Sequence, residues 1–218
     1  MGTHATLANS SGPRRAAHVL QQAQAGNVES VGQLLDLYRN YLLVLATTQF
    51  DRRLRRRLSP SDVVQETMLA AHRDFGQFRG ETEPQFLAWL RQILIHCLHR
   101  AIETHLKAKM RDVRCEISIE NMTCALDRST ARLSELLVDK APSPGAPIRQ
   151  RESAVEFANL LAALRPQYRE VIILRNLRGL SFGEIAARMD RNAGAVRMLW
   201  LRAVDKLRQT SEGTDERE

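Results

Sequence analysis

Apolar residues in this chain recur at spacings of three and four, and the strict alternation of a half-buried strand is rare, so an all-α fold is predicted. Leu34, Leu35, Tyr38, Tyr41, Leu42 and Leu45 mark one amphipathic helix, and Val63, Val64, Met68 and Ala71 mark a second. Ser59-Pro60-Ser61-Asp62 opens that second helix with a serine cap, a proline at the first helical position and an acid in the first turn. Gly80 breaks the pattern. Thr82 with Gln85 resembles a capping box, after which Phe86, Leu90, Ile93, Leu94, Cys97, Leu98, Ala101 and Ile102 keep one long apolar face.

Residues 1–15 are small, polar and aperiodic, and are expected to form a disordered arm before a helical domain over 16–111. Periodicity fails from 112 to 150, where Ala141-Pro142-Ser143-Pro144-Gly145-Ala146-Pro147 predicts a flexible linker. Shorter helices are expected beyond it: about 151–164, about 166–178 stopped by Gly179, about 181–189 opened by Ser181 with Glu184, and about 193–209 opened by Asn192. The architecture expected is thus two small helical domains, 16–111 and 151–211, joined by a flexible linker and followed by an acidic tail at 212–218.

Composition narrows the partners. Of 218 residues, 44% are hydrophobic, and 32 Lys and Arg outnumber 25 Asp and Glu. The charge concentrates in two basic blocks, 1–111 and 151–211, around a near-neutral middle. Most of the cations are arginines, whose planar fork suits phosphates and base edges, so a nucleic acid is the expected partner. No apolar run is long enough to span a membrane and the first thirty residues lack a signal-peptide pattern, so a cytoplasmic protein without a membrane partner is expected. Cys97, Cys115 and Cys124 cannot all pair and form no C-x-x-C, so reduced thiols are expected. His96, Cys97, His99 and His105 invite a metal, but Cys97 faces the apolar side and no second ligand pair is evident; no metal and no cofactor are expected. Arg52, Arg53, Arg55, Arg56 and Arg57 form the densest positive run, a solvated face or else a contact to phosphate or to a partner protein.

In SFGEIAARMDRNAGAVRMLWLRAVDKL a short helix with apolar Phe182, Ile185, Ala186 and Met189 is followed by the turn Asp190-Arg191-Asn192 and a longer helix. This is the layout of a DNA-binding helix-turn-helix. On a wheel of 100° per residue, Val196, Leu199, Trp200, Ala203 and Leu207 share the core side, and Gly194, Arg197, Met198, Leu201 and Arg202 the opposite arc. Arg197 and Arg202 are the natural contacts to base edges and phosphates, and Gly194 permits close approach.

The segment QYREVIILRNLRGLSFGEIAARMDRNAGAVRMLWLRAVDKLR resembles the promoter −35 domain of bacterial RNA polymerase sigma factors, and DVVQETMLAAHRDFGQFRGETEPQFLAWLRQIL is similar to the core domain of their extracytoplasmic-function (ECF) group. The resemblance covers roughly residues 16–211, and the linker segment RDVRCEISIENMTCALDRSTARLSELL looks like that of sigma factors from planctomycete-type bacteria. It implies a non-enzymatic specificity subunit that binds core RNA polymerase, on the clamp helices of the largest subunit, through Asp62, Gln65 and Glu66. It further implies −10 recognition and melting through Phe78, Arg79, Thr82 and His96, with Lys107, Lys109, Arg111 and Arg114 on the upstream backbone. Phe86 and Trp89 are assigned to the core. The −35 element would fall to Asn192, Gly194, Arg197, Met198, Leu201 and Arg202, and an anti-sigma factor is a further partner. Two departures stand out: Glu83-Pro84 lengthens the loop, and His96-Cys97 replaces the usual asparagine, so the −10 base preference does not transfer. The competing functions are a stand-alone helix-turn-helix regulator, a metal-dependent hydrolase and a DNA-mimicking antagonist; the last two lack, respectively, a phosphate loop with paired carboxylates and an acidic balance.

Overall fold

A computed structural model describes residues 13–50, 54, 57–105, 119–135 and 146–215, and all regular structure among these is helical. The first helix, α1 (Pro13–Gln24), starts inside the stretch expected to be a disordered arm. Its Ala16, Val19, Leu20 and Ala23, spaced for one helical face, are buried. The rest of the arm lies outside the described residues. α1 ends at Gly26, whose φ of +94° favours glycine, and Asn27 then caps α2 (Val28–Gln49) by accepting from the N–H groups of Glu29 and Ser30.

α2 is the centre of the molecule. The six residues expected to face the core are each at most 2% exposed, and Val44, Ala46 and Phe50 join them. From Tyr41 to Phe50 no position is exposed, so this half of the helix needs cover on every side. α3 (Pro60–Asp74) and α4 (Glu83–His105) supply part of it. α3 begins as its sequence predicts: Ser59 Oγ accepts from the Asp62 N–H, and the Asp62 carboxylate accepts from the Ser59 N–H at 2.9 Å. On α4 the expected apolar face is buried, with Ile93 half-buried.

The remaining cover comes from the segment expected to be linker. Residues Ile119–Glu135 form α5, whose Met122, Leu126 and Leu133 are buried at 3%, 1% and 0% exposure. Ser129 and Thr130, also buried, hydrogen-bond Thr48 and Tyr41 of α2 at 3.3 and 3.4 Å. A flexible linker across all of 112–150 is therefore corrected: α5 packs against α2, α4 and α6 (Ala146–Ala163), which itself starts five residues earlier than expected. Only 112–118 and 136–145 of that stretch lie outside the described residues.

α6, α7 (Pro166–Ile172), α8 (Phe182–Met189) and α9 (Ala193–Asp215) make the second helical unit. α7 continues into a π turn, Ile173–Leu177, and stops at Gly179, which has a φ of +70°. α8 starts with a second capping box, in which Glu184 accepts from the Ser181 N–H at 2.8 Å and Ser181 Oγ accepts from the Glu184 N–H. Both units share one continuous apolar core, and polar ties cross between them: Arg178 donates to the Phe50 carbonyl at 2.8 Å, Arg132 to the Leu177 carbonyl at 2.8 Å, and Asn40 to Asn159 at 2.9 Å. Among the described residues no helix is long and apolar enough to cross a membrane.

Two outcomes are expected. Leu126→Ala on α5 should lower stability to urea by about 2 to 5 kcal/mol, the cost of emptying a closed core site; a loss under about 0.5 kcal/mol, the size of a surface change, would return α5 to the status of a passive tether. The backbone N–H of Ser59 holds the Asp62 carboxyl below its usual range, and that of Ser181 does the same for Glu184. A carboxylate with a lowered folded pKa stabilises fully above the ordinary carboxylate range and progressively less as pH falls through its folded value. The stability gap between wild type and Glu184→Ala should thus narrow in acid, and a gap independent of pH in urea titrations would show that the ionised cap contributes nothing.

Candidate nucleic-acid interface

The helix-turn-helix is built from α8, the turn and α9. Asp190 closes α8 in the left-handed region at φ 53°, a conformation aspartate tolerates better than most residues. Its N–H and that of Arg191 both return to the Ala186 carbonyl. Asn192 then caps α9, its Oδ1 accepting from the Ala195 N–H at 2.7 Å. Val196, Leu199 and Ala203 are buried, and Trp200 is half-buried with its indole N–H donating to Asn176 at 3.0 Å. The π turn places Asn176 there and puts Arg175 over the Phe182 ring at 4.7 Å, which ties α8 to the helix before it.

With one side of α9 fixed this way, the other is free for a ligand. Asn192, Gly194, Arg197, Met198, Leu201 and Arg202 are all exposed, and Met198 and Leu201 keep 50% and 47% of their surface in water. The structure therefore exposes the whole predicted set and puts Gly194, Arg197, Met198, Leu201 and Arg202 on one arc of α9, with Asn192 at its cap. A Cβ at Gly194 would meet only Asn192 Oδ1, at 3.4 Å, an ordinary contact. Internal packing does not require glycine at 194.

A second surface lies on α3. Asp62, Gln65 and Glu66 are exposed and share an arc. Asp62 is engaged in its capping box, and Glu66 pairs with Arg100 of α4 at 3.2 Å across solvent-exposed side chains, an ion pair too wet to hold the fold. Sequence reasoning passed over Leu69, which is 66% exposed in the middle of this arc, between Gln65 and Arg73. Its signal was the spacing, four after Gln65 and three after Glu66; an isolated leucine in a helix reads as core until its face is known.

The third set divides. Phe78 is half-buried, with its ring 6.1, 5.4 and 5.3 Å from Phe75, Phe86 and Trp89, so it belongs to the aromatic cluster rather than to the outer face. A Cβ at Gly80 would come within 2.5 Å of that ring, which explains the glycine after Arg79. Arg79 and Thr82 are exposed, although Arg79 also donates to the Gly76 carbonyl at 2.8 Å. Gln85 Oε1 accepts from the Glu81 and Thr82 N–H groups at 2.8 and 3.1 Å, the glutamine half of the expected capping box. His96 is exposed fourteen residues beyond Thr82, about four turns along the same side of α4. Gln92 shares that side, a residue whose polarity alone gave no signal. Lys107, Lys109, Arg111 and Arg114 lie outside the described residues, as do Arg52, Arg53, Arg55 and Arg56; Arg57 is exposed. His99 sits 3.5 Å from Glu103, and no metal-binding group is assembled among the described residues.

Two family models match the chain, one in each helical unit. The family Sigma-70 region 2 matches residues 36–108, and Sigma-70, region 4 matches residues 154–207, together more than half of the chain. The ECF RNA polymerase sigma factor BldN of Streptomyces coelicolor is 28% identical over 204 residues, 94% of this chain and 69% of that protein. SigD of Mycobacterium tuberculosis is 27% identical over 193 residues, 87% of this chain and 81% of its own length. The ECF RNA polymerase sigma-E factor of Haemophilus influenzae is 28% identical over 185 residues, 85% of this chain and 89% of its own. A chain of the solved RsbN–BldN complex is 24% identical and covers 87% of this chain and 97% of itself, with a TM-score of 0.30. With both regions present and in order, this chain belongs to the sigma-70 family of RNA polymerase sigma factors, in the ECF group.

Proposed function

We propose that this protein is a promoter-specificity subunit that joins core RNA polymerase in the cytoplasm, recognises −10 and −35 elements and promotes their opening, with no reaction of its own. The observation that carries the reading is α9, whose apolar side is locked into the second helical unit while Arg197, Met198, Leu201 and Arg202 stand exposed on the other. Such a face suits a major groove: the arginines reach guanine edges or phosphates, and Met198 and Leu201 supply apolar surface for a thymine methyl or the sugar backbone. A stand-alone helix-turn-helix regulator would need no sigma region 2, which matches residues 36–108.

Within this reading, 16–111 is the unit that docks on polymerase and reads the −10 element, and 151–211 reads the −35 element. Polymerase docks on α3, where Gln65, Glu66 and the exposed Leu69 offer a polar face with an apolar centre, and Asp62 contributes what its cap leaves free. The partner surface is the clamp helices of the largest polymerase subunit. Melting takes a base out of its stack at a cost of a few kcal/mol, which contacts to the flipped base must offset. Arg79, Thr82 and His96 make those contacts, and Phe78 shapes the loop from beneath. Lys107, Lys109 and Arg111 would follow the duplex backbone beyond α4. An anti-sigma factor stays part of the proposal on family membership alone.

The test is transcription by holoenzyme reconstituted from purified core polymerase. Arg197→Ala and Arg202→Ala should each lose about 1 to 3 kcal/mol of promoter affinity if they read a base, with a shallower salt dependence if they hold a phosphate. Gln65→Ala with Glu66→Lys should weaken binding to core enzyme at unchanged helicity. Wild-type promoter use by both arginine variants would mean that the face of α9 has been misassigned; undiminished co-purification of the α3 variant with polymerase would remove that docking surface.

A further inference from the structure

The loop between α3 and α4 is held from outside by two contacts that no part of the helix-turn-helix or docking reading uses. Gln24, the last residue of α1, donates from Nε2 to the Gly80 carbonyl at 2.6 Å, across 56 residues of sequence. Tyr38 of α2 donates its hydroxyl to Glu83 Oε1 at 2.8 Å, at the first turn of α4. Tyr38 is 1% exposed and leans on Phe86 at 5.6 Å, so this anchor comes from the middle of the core. Burial first, and then the Glu83 charge, push the phenol well above its ordinary range, which keeps it a donor at every working pH.

Gln24 is as well placed as a side chain on an exposed helix end can be. Ala16, Val19, Leu20 and Ala23 seat α1 in the core, and the helix end is closed by Gly26 N–H on the Ala23 carbonyl and Asn27 N–H on the Gln22 carbonyl. Between the two anchors the loop has little freedom. The Phe78 ring fills the space a side chain at 80 would need, and Gln85 takes the N–H groups of 81 and 82. Glu81 and Thr82 are left exposed on a backbone whose Gly80 carbonyl and Glu81 and Thr82 N–H groups are already bonded within the protein.

We propose that Gln24 and the Tyr38–Glu83 pair are positioning residues for promoter opening, holding the 79–83 loop in the shape that receives an unstacked base of the −10 element. The proposal rests on the reading of this loop as the −10 contact. Its physical basis is preorganisation: a loop that had to order itself while the base left its stack would subtract that ordering cost from an already unfavourable step. Glu83-Pro84, expected to lengthen this loop, instead forms the first turn of α4, where Glu83 is the acceptor of the inner anchor.

The experiment measures the rate of promoter opening by holoenzyme, followed by a fluorescent base analogue in the −10 element, on a duplex promoter and on one premelted by mismatches. Gln24→Ala and Tyr38→Phe, each removing one hydrogen bond, should slow opening of the duplex by about tenfold. Opening on the premelted template should suffer less, and affinity for core polymerase should be unchanged. Glu83→Gln keeps an acceptor for Tyr38 and should open at the wild-type rate, whereas Glu83→Ala should not. Because Gln24 is exposed, its alanine variant folds whatever Tyr38→Phe does, and a wild-type opening rate for Gln24→Ala overturns its part in the proposal. A parallel loss of polymerase binding and opening in both variants would show a general structural role and also overturn it. Arg79→Ala with Thr82→Ala tests the underlying reading separately: if that variant opens promoters normally, the loop is not the −10 contact and the inference goes with it.

Discussion

The C-terminal half of α2 cannot be exposed to water on any side, and most of the architecture follows from covering it. Tyr41, Leu42, Val44, Leu45, Ala46 and the C-cap Phe50 are at most 3% exposed and take most of the circumference, and Leu43 and Thr47 on the remaining side are half-buried. A single neighbouring helix covers one stripe. Full cover here takes α3 and α4 on one side and α5, α6 and the π turn on the other. The chain between the two helical units is therefore drawn into the core, and its buried hydroxyls, Ser129 and Thr130, find partners on α2 itself.

The same wall sets where the proposed polymerase and nucleic-acid surfaces can be. Tyr38, one turn before Tyr41, sends its hydroxyl to the start of α4 and so connects the core to the loop that follows Phe78. At the far end of α2 the Phe50 carbonyl accepts from Arg178, just after the π turn that orients Asn176 towards Trp200 of α9. Apolar side chains on α3 and α9 face this interior, and what remains outside is the polar arc with Leu69 on one helix and the arginine face with Met198 and Leu201 on the other. Exposed apolar atoms at those two places carry a standing hydration cost, about 25 cal/mol per Å², that burial against a partner would recover.

Much of this was legible in the sequence wherever local chemistry and periodicity agree. Ser59-Pro60-Ser61-Asp62, Ser181 with Glu184, and Asn192 each announce a helix start that the structure contains, and the wheel of 194–207 sorts buried from exposed residues correctly. α1 was missed because its four buried positions follow a polar stretch, which masks a twelve-residue helix that only packing stabilises. α5 was missed for a related reason: its buried apolar residues, Met122, Leu126 and Leu133, are few, its other buried positions are Ser129 and Thr130, and the proline cluster beyond it dominates the local composition. Phe78 shows a different limit. Spacing places an aromatic at a loop, but only the rings of Phe75, Phe86 and Trp89 decide whether it faces in or out.

Run-off transcription with purified core polymerase and a pool of genomic fragments tests the account most directly, because every surface described above has to act at once. The account predicts transcripts only when this chain is added, from fragments that share two upstream elements at fixed spacing. Tight binding of the chain alone to a palindromic site, with no transcription on addition to polymerase, would contradict it.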